Sequence, residues 1–172
     1  MSIKAFRQFP YLILSTYFFR MTTFPDFNSF RARAGQSLGY SEWVSVTQEM
    51  VNQFAEATKD FQWIHIDVDR ANRESPFGKP IAHGFLSLSL LSHLIESMVM
   101  IDSAKMGVNY GLNKVRFPNH VAVGARLRLQ LGIGKVEEAA NNGIKIYWDC
   151  VVEIEGKQKP ACVAEFITML FE

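Results

Sequence analysis

The fold is decided by two stretches of the chain, Phe54-Ala-Glu-Ala-Thr-Lys-Asp-Phe-Gln-Trp-Ile-His-Ile-Asp67 and Pro80-Ile-Ala-His-Gly-Phe-Leu-Ser-Leu-Ser-Leu-Leu-Ser-His-Leu94. The first is polar at one end and aromatic at the other and does not fit a regular helix, so Asp60 and His65 are predicted to share a loop and to face one cavity. The second becomes apolar at Gly84, which predicts the start of a helix. Because the first N–H groups of a helix lack intrahelical partners and carry partial positive charge, Gly84 is a candidate donor to an oxygen that gains negative charge during a reaction.

The helix predicted from Gly84 to Ile101 is apolar on nearly every side, and it is as long as a helix that spans a membrane. Polar and charged residues nevertheless interrupt it, among them His93 and Glu96. This composition is typical of a helix buried inside a soluble protein. Other elements must therefore wrap around the helix.

The C-terminal half of the chain supplies these elements as strands. Apolar and polar residues alternate in residues 126–131 and 144–155, which is the pattern of an antiparallel sheet with one buried face. The sequence thus predicts an α+β domain in which a sheet wraps a long central helix. The other predicted elements are a short helix over Asp26–Ala34, an edge strand over Gly39–Val46, a helix over Gln48–Thr58 with Thr47 as its cap, a helical turn over Asp67–Glu74, and strands over Lys105–Phe117 and Ala161–Phe171.

Length and composition limit the classes of protein that fit. A chain of 172 residues predicts one domain with a substantial core, and 48% hydrophobic with 20% charged residues is ordinary for a globular protein. The net charge of +1 gives no indication of a nucleic-acid partner, since phosphate backbones are bound by clustered Lys and Arg. Cys150 and Cys162 are the only cysteines, so no disulfide framework is expected and a reducing, cytoplasmic location is predicted, with no membrane partner.

Residues 1–22 differ from the rest of the chain. Their apolar run, Tyr11–Phe19, is too short to span a bilayer, and Arg20 follows it where a secretory signal would place small residues. The sequence predicts that residues 1–22 are an extension of little importance for fold or catalysis and that residues 23–172 form the domain. Translation from Met21 and an organellar transit peptide remain open alternatives.

From about Gln36 to Phe171 the chain resembles the MaoC-like dehydratases, the (R)-specific enoyl-CoA hydratases. The motif of that family is Gly-Asp, then Asn-Pro, a hydrophobic residue, His and an acid one residue on, followed after a gap by Pro-Ile-x-His-Gly. Asp60, His65 and Asp67 match the first half, and Pro80-Ile-Ala-His-Gly84 matches the second.

Three positions depart from this motif: Lys59 replaces the family's Gly, Gln62 its Asn and Trp63 its Pro. The Gln-Trp-Ile-His sequence, together with Pro76-Phe-Gly78 and Asn109-Tyr-Gly-Leu-Asn-Lys-Val-Arg-Phe-Pro118, resembles the nodulation-protein-N-like branch of the family in particular. Lys59 departs from both patterns.

The resemblance implies a hot-dog fold, a homodimer and a reversible addition of water to a trans-2-enoyl thioester of coenzyme A or of an acyl carrier, giving the (R)-3-hydroxyacyl thioester. Asp60 and His65 would orient one water, take its proton as it attacks C3 and return a proton to C2. The Gly84 N–H would donate to the thioester oxygen. Gln62 would orient the site as a polar group, and Ser92 lies where the hydratases place a serine near the catalytic acid.

Several alternatives stay open at this point. His83 fits a side chain buried for packing and hydrogen bonding better than a second base, and Lys114 and Arg116 fit either the phosphates of coenzyme A or a solvated strand face. His65, Asp67 and His83 lack the spacing of a metal site, so no metal and no cofactor are predicted. A hot-dog thioesterase and a non-catalytic acyl-thioester-binding partner are the other functions that the sequence allows.

Overall fold

The computed structural model describes residues 21–172, and the predicted extension lies outside the described residues except for its last two, Met21 and Thr22. Whether the extension is dispensable stays a prediction. In chain order the elements are β1 (Thr22–Phe24), α1 (Phe27–Arg31), β2 (Ser37–Tyr40), β3 (Val44–Ser45), α2 (Gln48–Thr58), α3 (Trp63–Ile66), α4 (Val68–Glu74), α5 (Gly84–Met98), β4 (Val99–Ile101), β5 (Met106–Arg116), β6 (Arg126–Ala139), β7 (Gly143–Ile154) and β8 (Cys162–Phe171).

A six-stranded sheet forms one layer of the molecule, in the strand order β2-β6-β7-β8-β5 with β3 beside β6. Its long pairings are antiparallel, and they place apolar side chains opposite one another, as in the pairs Leu129 with Val152 and Leu131 with Cys150. These side chains are buried, as are Leu91 and Leu94 of α5, and all belong to one core. The sheet therefore wraps the central helix, and the prediction of a hot-dog fold is confirmed.

The central helix is shorter than predicted. α5 ends at Met98, and Val99–Ile101 form the strand β4, which pairs in parallel with β1. Two of these three residues are β-branched, and β1 offers them backbone hydrogen bonds that a further turn of helix would lose. Among residues 21–172 no helix is both long and apolar enough to cross a membrane.

The edge strand predicted over Gly39–Val46 is divided into β2 and β3. Between the two strands, the buried hydroxyl of Ser41 accepts a hydrogen bond from the Leu129 N–H at 2.8 Å and donates one to the Glu42 carbonyl at 2.8 Å. The Ser41 hydroxyl thus accepts from the Leu129 N–H of β6, where a backbone carbonyl of a continuous edge strand would otherwise accept. The edge strand is interrupted at this point.

Lys59 ends α2 in the left-handed conformation, with φ 63° and ψ 22°. Helices commonly use glycine at this position, because a Cβ atom there crowds the following carbonyl at a cost of roughly 1–2 kcal/mol. This is the physical reason that the family motif has Gly before the Asp. The departure noted in the sequence therefore leaves the backbone conformation in place and adds strain to it.

We expect Lys59→Gly to raise the free energy of unfolding by about 0.5–1 kcal/mol, since relief of the strain exceeds the extra entropy of glycine in the unfolded chain. Urea denaturation measures the change. Lys59→Ala is the matched control: it removes the ammonium group that lies 3.7 Å from Glu56 but keeps the Cβ atom, so it should bring no gain. An equal gain from both variants would contradict the backbone explanation.

Candidate active site

Asp60 and His65 are brought together by the turn between α2 and α3. The sequence predicts a loop for both, but His65 lies within the single turn of α3, which is closed by hydrogen bonds from the His65 N–H to the Gln62 carbonyl and from the Asp67 N–H to the Trp63 carbonyl, both at 3.0 Å. Asp60 lies in the turn before it. The prediction of an irregular segment was wrong for His65, because aromatic composition does not prevent one isolated helical turn.

His65 is a buried, neutral base in this arrangement. Its Nδ1 lies 2.6 Å from the Ile81 carbonyl oxygen. Because a carbonyl only accepts hydrogen bonds, Nδ1 carries the proton, and in the neutral ring Nε2 holds the lone pair. Burial lowers the pKa of His65 below its ordinary value and outweighs the hydrogen bond to Ile81, which raises that pKa.

His83 joins the two halves of the motif. Its ring stacks on the His65 ring with 3.8 Å between centroids, and its Nε2–H donates to the main-chain carbonyl of Asp60 at 3.0 Å. A further hydrogen bond runs from the Ile81 N–H to the Ile64 carbonyl at 3.1 Å. The segment before α5 is thus fastened directly to α3 and to the turn that carries Asp60.

One water molecule can contact both Asp60 and His65. A carboxylate oxygen of Asp60, a ring nitrogen of His65 and a ring nitrogen of His83 lie within 4.8 Å of one another. Two hydrogen bonds of about 2.8 Å, placed end to end, reach up to about 5.6 Å. The Asp60 side chain is 54% exposed, so this position is open to solvent and to a ligand.

Gly84 is the first residue of α5, and its N–H points out of the helix start. No hydrogen bond within residues 21–172 uses this N–H. The Phe117 ring packs over the glycine so closely that a Cβ atom at Gly84 would lie 3.1 Å from Phe117 Cγ. The position is therefore adjacent to His83 and exposed, and a Cβ atom there would force the Phe117 ring to move by a few tenths of an ångström.

The other predicted site residues are less directly connected to Asp60 and His65. The Gln62 main-chain N–H donates to Asp60 Oδ1 at 3.4 Å, while the Gln62 side chain is exposed. Ser92 Oγ accepts from Asn109 Nδ2 at 3.3 Å and is not brought to Asp60 within this chain. The Arg116 guanidinium is exposed at the end of β5 and donates to the neighbouring Val115 carbonyl. Their roles in binding stay predictions.

A cavity of about 360 Å³ lies between the second half of α5 and strands β5 and β8. Its wall is mostly apolar, with Ser92 and Asn109 as part of its polar lining. Its size falls in the range of small-molecule sites. Among its lining residues are Ser92, Ile95, Val99, Asn109, Trp148 and Thr168.

Two supports of His65 could not be found from the sequence. Gln48, in the first turn of α2, donates from Nε2 to the His65 carbonyl at 2.8 Å. Ile81 acts through its main-chain carbonyl. No sequence pattern marks either role, since Gln48 reads as an ordinary helix residue and a carbonyl is common to all residues.

The cluster of Asp60, His65 and His83 does not fit a metal ion. The two rings are stacked with 29° between their planes, so the in-plane lone pairs of the two rings run nearly parallel and do not converge on one point. Metal-binding imidazoles point a free lone pair at a shared ion.

Comparison with known proteins identifies the family. The family described as MaoC like domain matches residues 29–146. The chain is 48% identical over 147 residues to 3-hydroxyacyl-thioester dehydratase Z of Mycobacterium tuberculosis, covering 86% of this chain and 97% of that protein. It is 43% identical over 140 residues to nodulation protein N of Rhizobium leguminosarum bv. viciae, covering 81% and 87%.

A solved structure supports the fold. R-hydratase PhaJ1 from Pseudomonas aeruginosa in the unliganded form matches with a TM-score of 0.64 at 24% identity, covering 81% of this chain and 82% of that chain. At this identity the likeness concerns the fold alone. Because the family match spans more than half of the chain and the sequence relatives cover most of it, the chain belongs to the MaoC-like dehydratase family and is a hydro-lyase, as the sequence predicts.

Proposed function

We propose that the protein catalyses the reversible addition of water to a trans-2-enoyl thioester, giving the (R)-3-hydroxyacyl thioester. The observation that carries this proposal is the placement of Asp60 and His65 within reach of one water, beside the open N–H of Gly84. The name of the Mycobacterium tuberculosis relative, a 3-hydroxyacyl-thioester dehydratase, supports the thioester as substrate.

The chemistry needs a base, an acid and a donor to an oxyanion. The water oxygen forms a bond to C3 while Asp60 and His65 take its proton, and the electrons of the double bond move onto the thioester carbonyl. The resulting enolate oxygen accepts a hydrogen bond from the Gly84 N–H, a type of contact typically worth about 3 kcal/mol. C2 then receives a proton from the same pair, so the number of protons on the enzyme is unchanged after a turnover.

The proposal for the carrier of the acyl group is based on two exposed, positively charged side chains. Lys114 and Arg116 lie exposed near the end of β5, beside Phe117, which covers Gly84. Cations near the proposed thioester site would suit the phosphates of coenzyme A or of a carrier-bound phosphopantetheine. The cavity between α5 and the sheet would then receive the acyl chain.

The experiment is to incubate the purified protein with a trans-2-enoyl-CoA and to identify the product. Hydration gives 3-hydroxyacyl-CoA, whose configuration chiral chromatography assigns. A hot-dog thioesterase would instead release free coenzyme A and the enoic acid, and a binding protein would leave the substrate unchanged. Either of those two results, or an (S) product, would contradict the proposal.

The pH dependence of hydration should follow His65. Because the pKa of His65 is lowered, its neutral form persists below the ordinary value of 6.5. We therefore expect the midpoint of kcat/KM to lie below pH 6.5, so that at pH 6.5 more than half of the maximal value is retained, and the rate falls at lower pH, where the base is protonated. Melting temperatures over the same range serve as the control for unfolding. A half-maximal rate above pH 6.5 would contradict this assignment.

We also propose a homodimer, because β5 is an edge strand with an exposed apolar surface. Its outer edge is unpaired within residues 21–172, and four of its side chains, Met106, Val108, Tyr110 and Leu112, are each at least 40% exposed. An edge of this kind is a template for pairing with another strand. A second copy of the chain would cover it and narrow the access to Asp60.

Light scattering of the wild-type protein at micromolar concentration should give the mass of a dimer. Val108→Lys should shift that mass toward a monomer, because it places a charge in the proposed interface. Val68→Lys on α4 is the matched control, since Val68 is 39% exposed and Val108 is 41% exposed. A monomeric wild-type protein, or equal effects of the two variants, would contradict the proposed interface.

A further inference from the structure

His83 is a buried histidine whose side chain does not cap the helix that it precedes. It occupies the N-cap position of α5, yet its side chain makes no cap hydrogen bond. The side chain is only 3% exposed. Burying a polar ring costs free energy unless its polar atoms are used, so an apolar ring would be the better choice if packing alone mattered.

One nitrogen of this ring is used on the main chain of Asp60. The Nε2–H donates to the Asp60 carbonyl at 3.0 Å, and the same nitrogen lies 4.0 Å from Asp60 Oδ2. Asp60 directly follows Lys59, whose left-handed conformation turns the chain out of α2. The hydrogen bond from His83 therefore fixes the chain at the point where the carboxylate enters the site.

The ring also packs against two other rings. One face stacks on His65 with 3.8 Å between centroids, and Phe54 of α2 lies 5.0 Å from the ring centroid. The stack fixes the plane of the His65 imidazole, while the Ile81 carbonyl fixes its Nδ1. Together the two contacts oppose rotation of the His65 ring, so that Nε2 keeps its direction.

The remaining nitrogen shows which form of the ring is present. His83 Nδ1 is buried and has no hydrogen-bond partner within residues 21–172. With the proton on Nε2, the neutral ring leaves only a lone pair at Nδ1, whereas the charged ring would bury an N–H without an acceptor. Of the two neutral tautomers, only the one with Nε2–H can donate to the Asp60 carbonyl.

We infer that His83 is a positioning residue for the hydration step, which holds the main chain at Asp60 and the ring plane of His65 in the geometry that one shared water requires. This inference rests on the proposed function. It assigns His83 no contact with substrate and no proton transfer. Misplacement of a reacting group by about 1 Å can cost on the order of a hundredfold in rate, so loss of this support should appear in kcat.

The test compares three substitutions of His83 with one control. His83→Phe keeps the ring and removes the donor, so we expect kcat to fall about ten- to hundredfold with KM changed less than about threefold. His83→Gln places an amide N–H at the reach of Nε2 and should restore part of kcat, whereas the shorter His83→Asn should not. Phe54→Leu removes the packing partner but keeps the Asp60 hydrogen bond, so it should lower the melting temperature with kcat nearly unchanged.

A second measurement is independent of turnover. The ¹⁵N-attached Nδ1–H of His65 donates to the Ile81 carbonyl across the two motif halves, and we expect it to exchange slowly with solvent in the wild-type protein and faster in His83→Phe, because the turn that carries Asp60 loses its hydrogen bond to the segment before α5. Wild-type kcat together with a wild-type exchange rate of the His65 Nδ1–H in His83→Phe would overturn the inference. If His83→Phe does not fold, equal kcat values for His83→Gln and His83→Asn would overturn it.

The proposed function and this inference can fail separately. If the wild-type protein hydrates no enoyl-CoA but exchange of the His65 Nδ1–H still depends on His83, the proposed function is wrong and the positioning role stands. If hydration is found and neither kcat nor this exchange rate responds to His83, the positioning role is wrong and the proposed function stands.

Discussion

Asp60→Asn and His65→Gln are each expected to lower the rate of hydration by at least about a hundredfold, in line with the contributions of general acids and bases. The double variant should be little slower than either single variant, because two groups that act on one water form a unit and the loss of either disables the step. Single-turnover rates with a trans-2-enoyl-CoA measure the effect on chemistry. Asp60 is exposed, so Asp60→Asn should leave the melting temperature nearly unchanged.

Asp67→Asn is the matched control for this experiment. Asp67 belongs to the same motif, but its carboxylate caps α4 by accepting a hydrogen bond from the Arg70 N–H at 2.9 Å. Asparagine caps helices about as well as aspartate, so stability and activity should both persist. Full turnover by a folded Asp60→Asn protein would overturn the mechanism.

The second large effect is expected at Gly84. Proline is well tolerated at the first position of a helix, and the residue before it, His83, already has the extended conformation that a following proline requires, with φ −60° and ψ 139°. Gly84→Pro therefore removes the N–H and should leave α5 in place. We expect kcat to fall about 10²- to 10³-fold, the loss found when one oxyanion donor is removed.

The control for the proline is Gly84→Ala. Both substitutions add a Cβ atom, which would lie 3.1 Å from Phe117 Cγ, so both move the Phe117 ring. Only proline also removes the donor. If the alanine variant loses as much activity as the proline variant, the Gly84 N–H contributes nothing and the effect comes from crowding alone.

The elements that could be predicted are those whose signals are local. α2 has the predicted bounds, Gln48–Thr58, because Thr47 caps it as expected, accepting from the Met50 N–H at 3.2 Å, and because its apolar face repeats with the period of a helix. The alternation along β6 and β7 likewise predicted which side chains are buried. These signals need no knowledge of distant parts of the chain.

The errors arose where a distant partner decides the conformation. Val99–Ile101 continue the apolar pattern of α5, but the strand β1 from the beginning of the domain pairs with them. The division of the first edge strand depends on Ser41 and on Leu129 of β6. Neither partner can be read from a window of neighbouring residues.

The features of the site also divide into those that local sequence signals predict and those that they do not. The types and order of Asp60, His65 and Gly84 could be read from the sequence, since their side chains or the helix start carry the proposed chemistry. The tie from Ile81 and the contact between His83 and the Asp60 carbonyl involve the main chain, which the sequence does not distinguish. The role of Ser92 near the catalytic acid stays a prediction.

The hydrogen bond from the Ile81 N–H to the Ile64 carbonyl makes the assembly of the site observable without substrate. Ile81 is buried, and its amide proton is held between the segment before α5 and the one-turn helix that carries His65. This proton can exchange with deuterium only when the two motif halves separate, so its exchange rate gives the free energy of opening at the site. A single resolved amide signal therefore separates variants that loosen the site from variants that remove a chemical group.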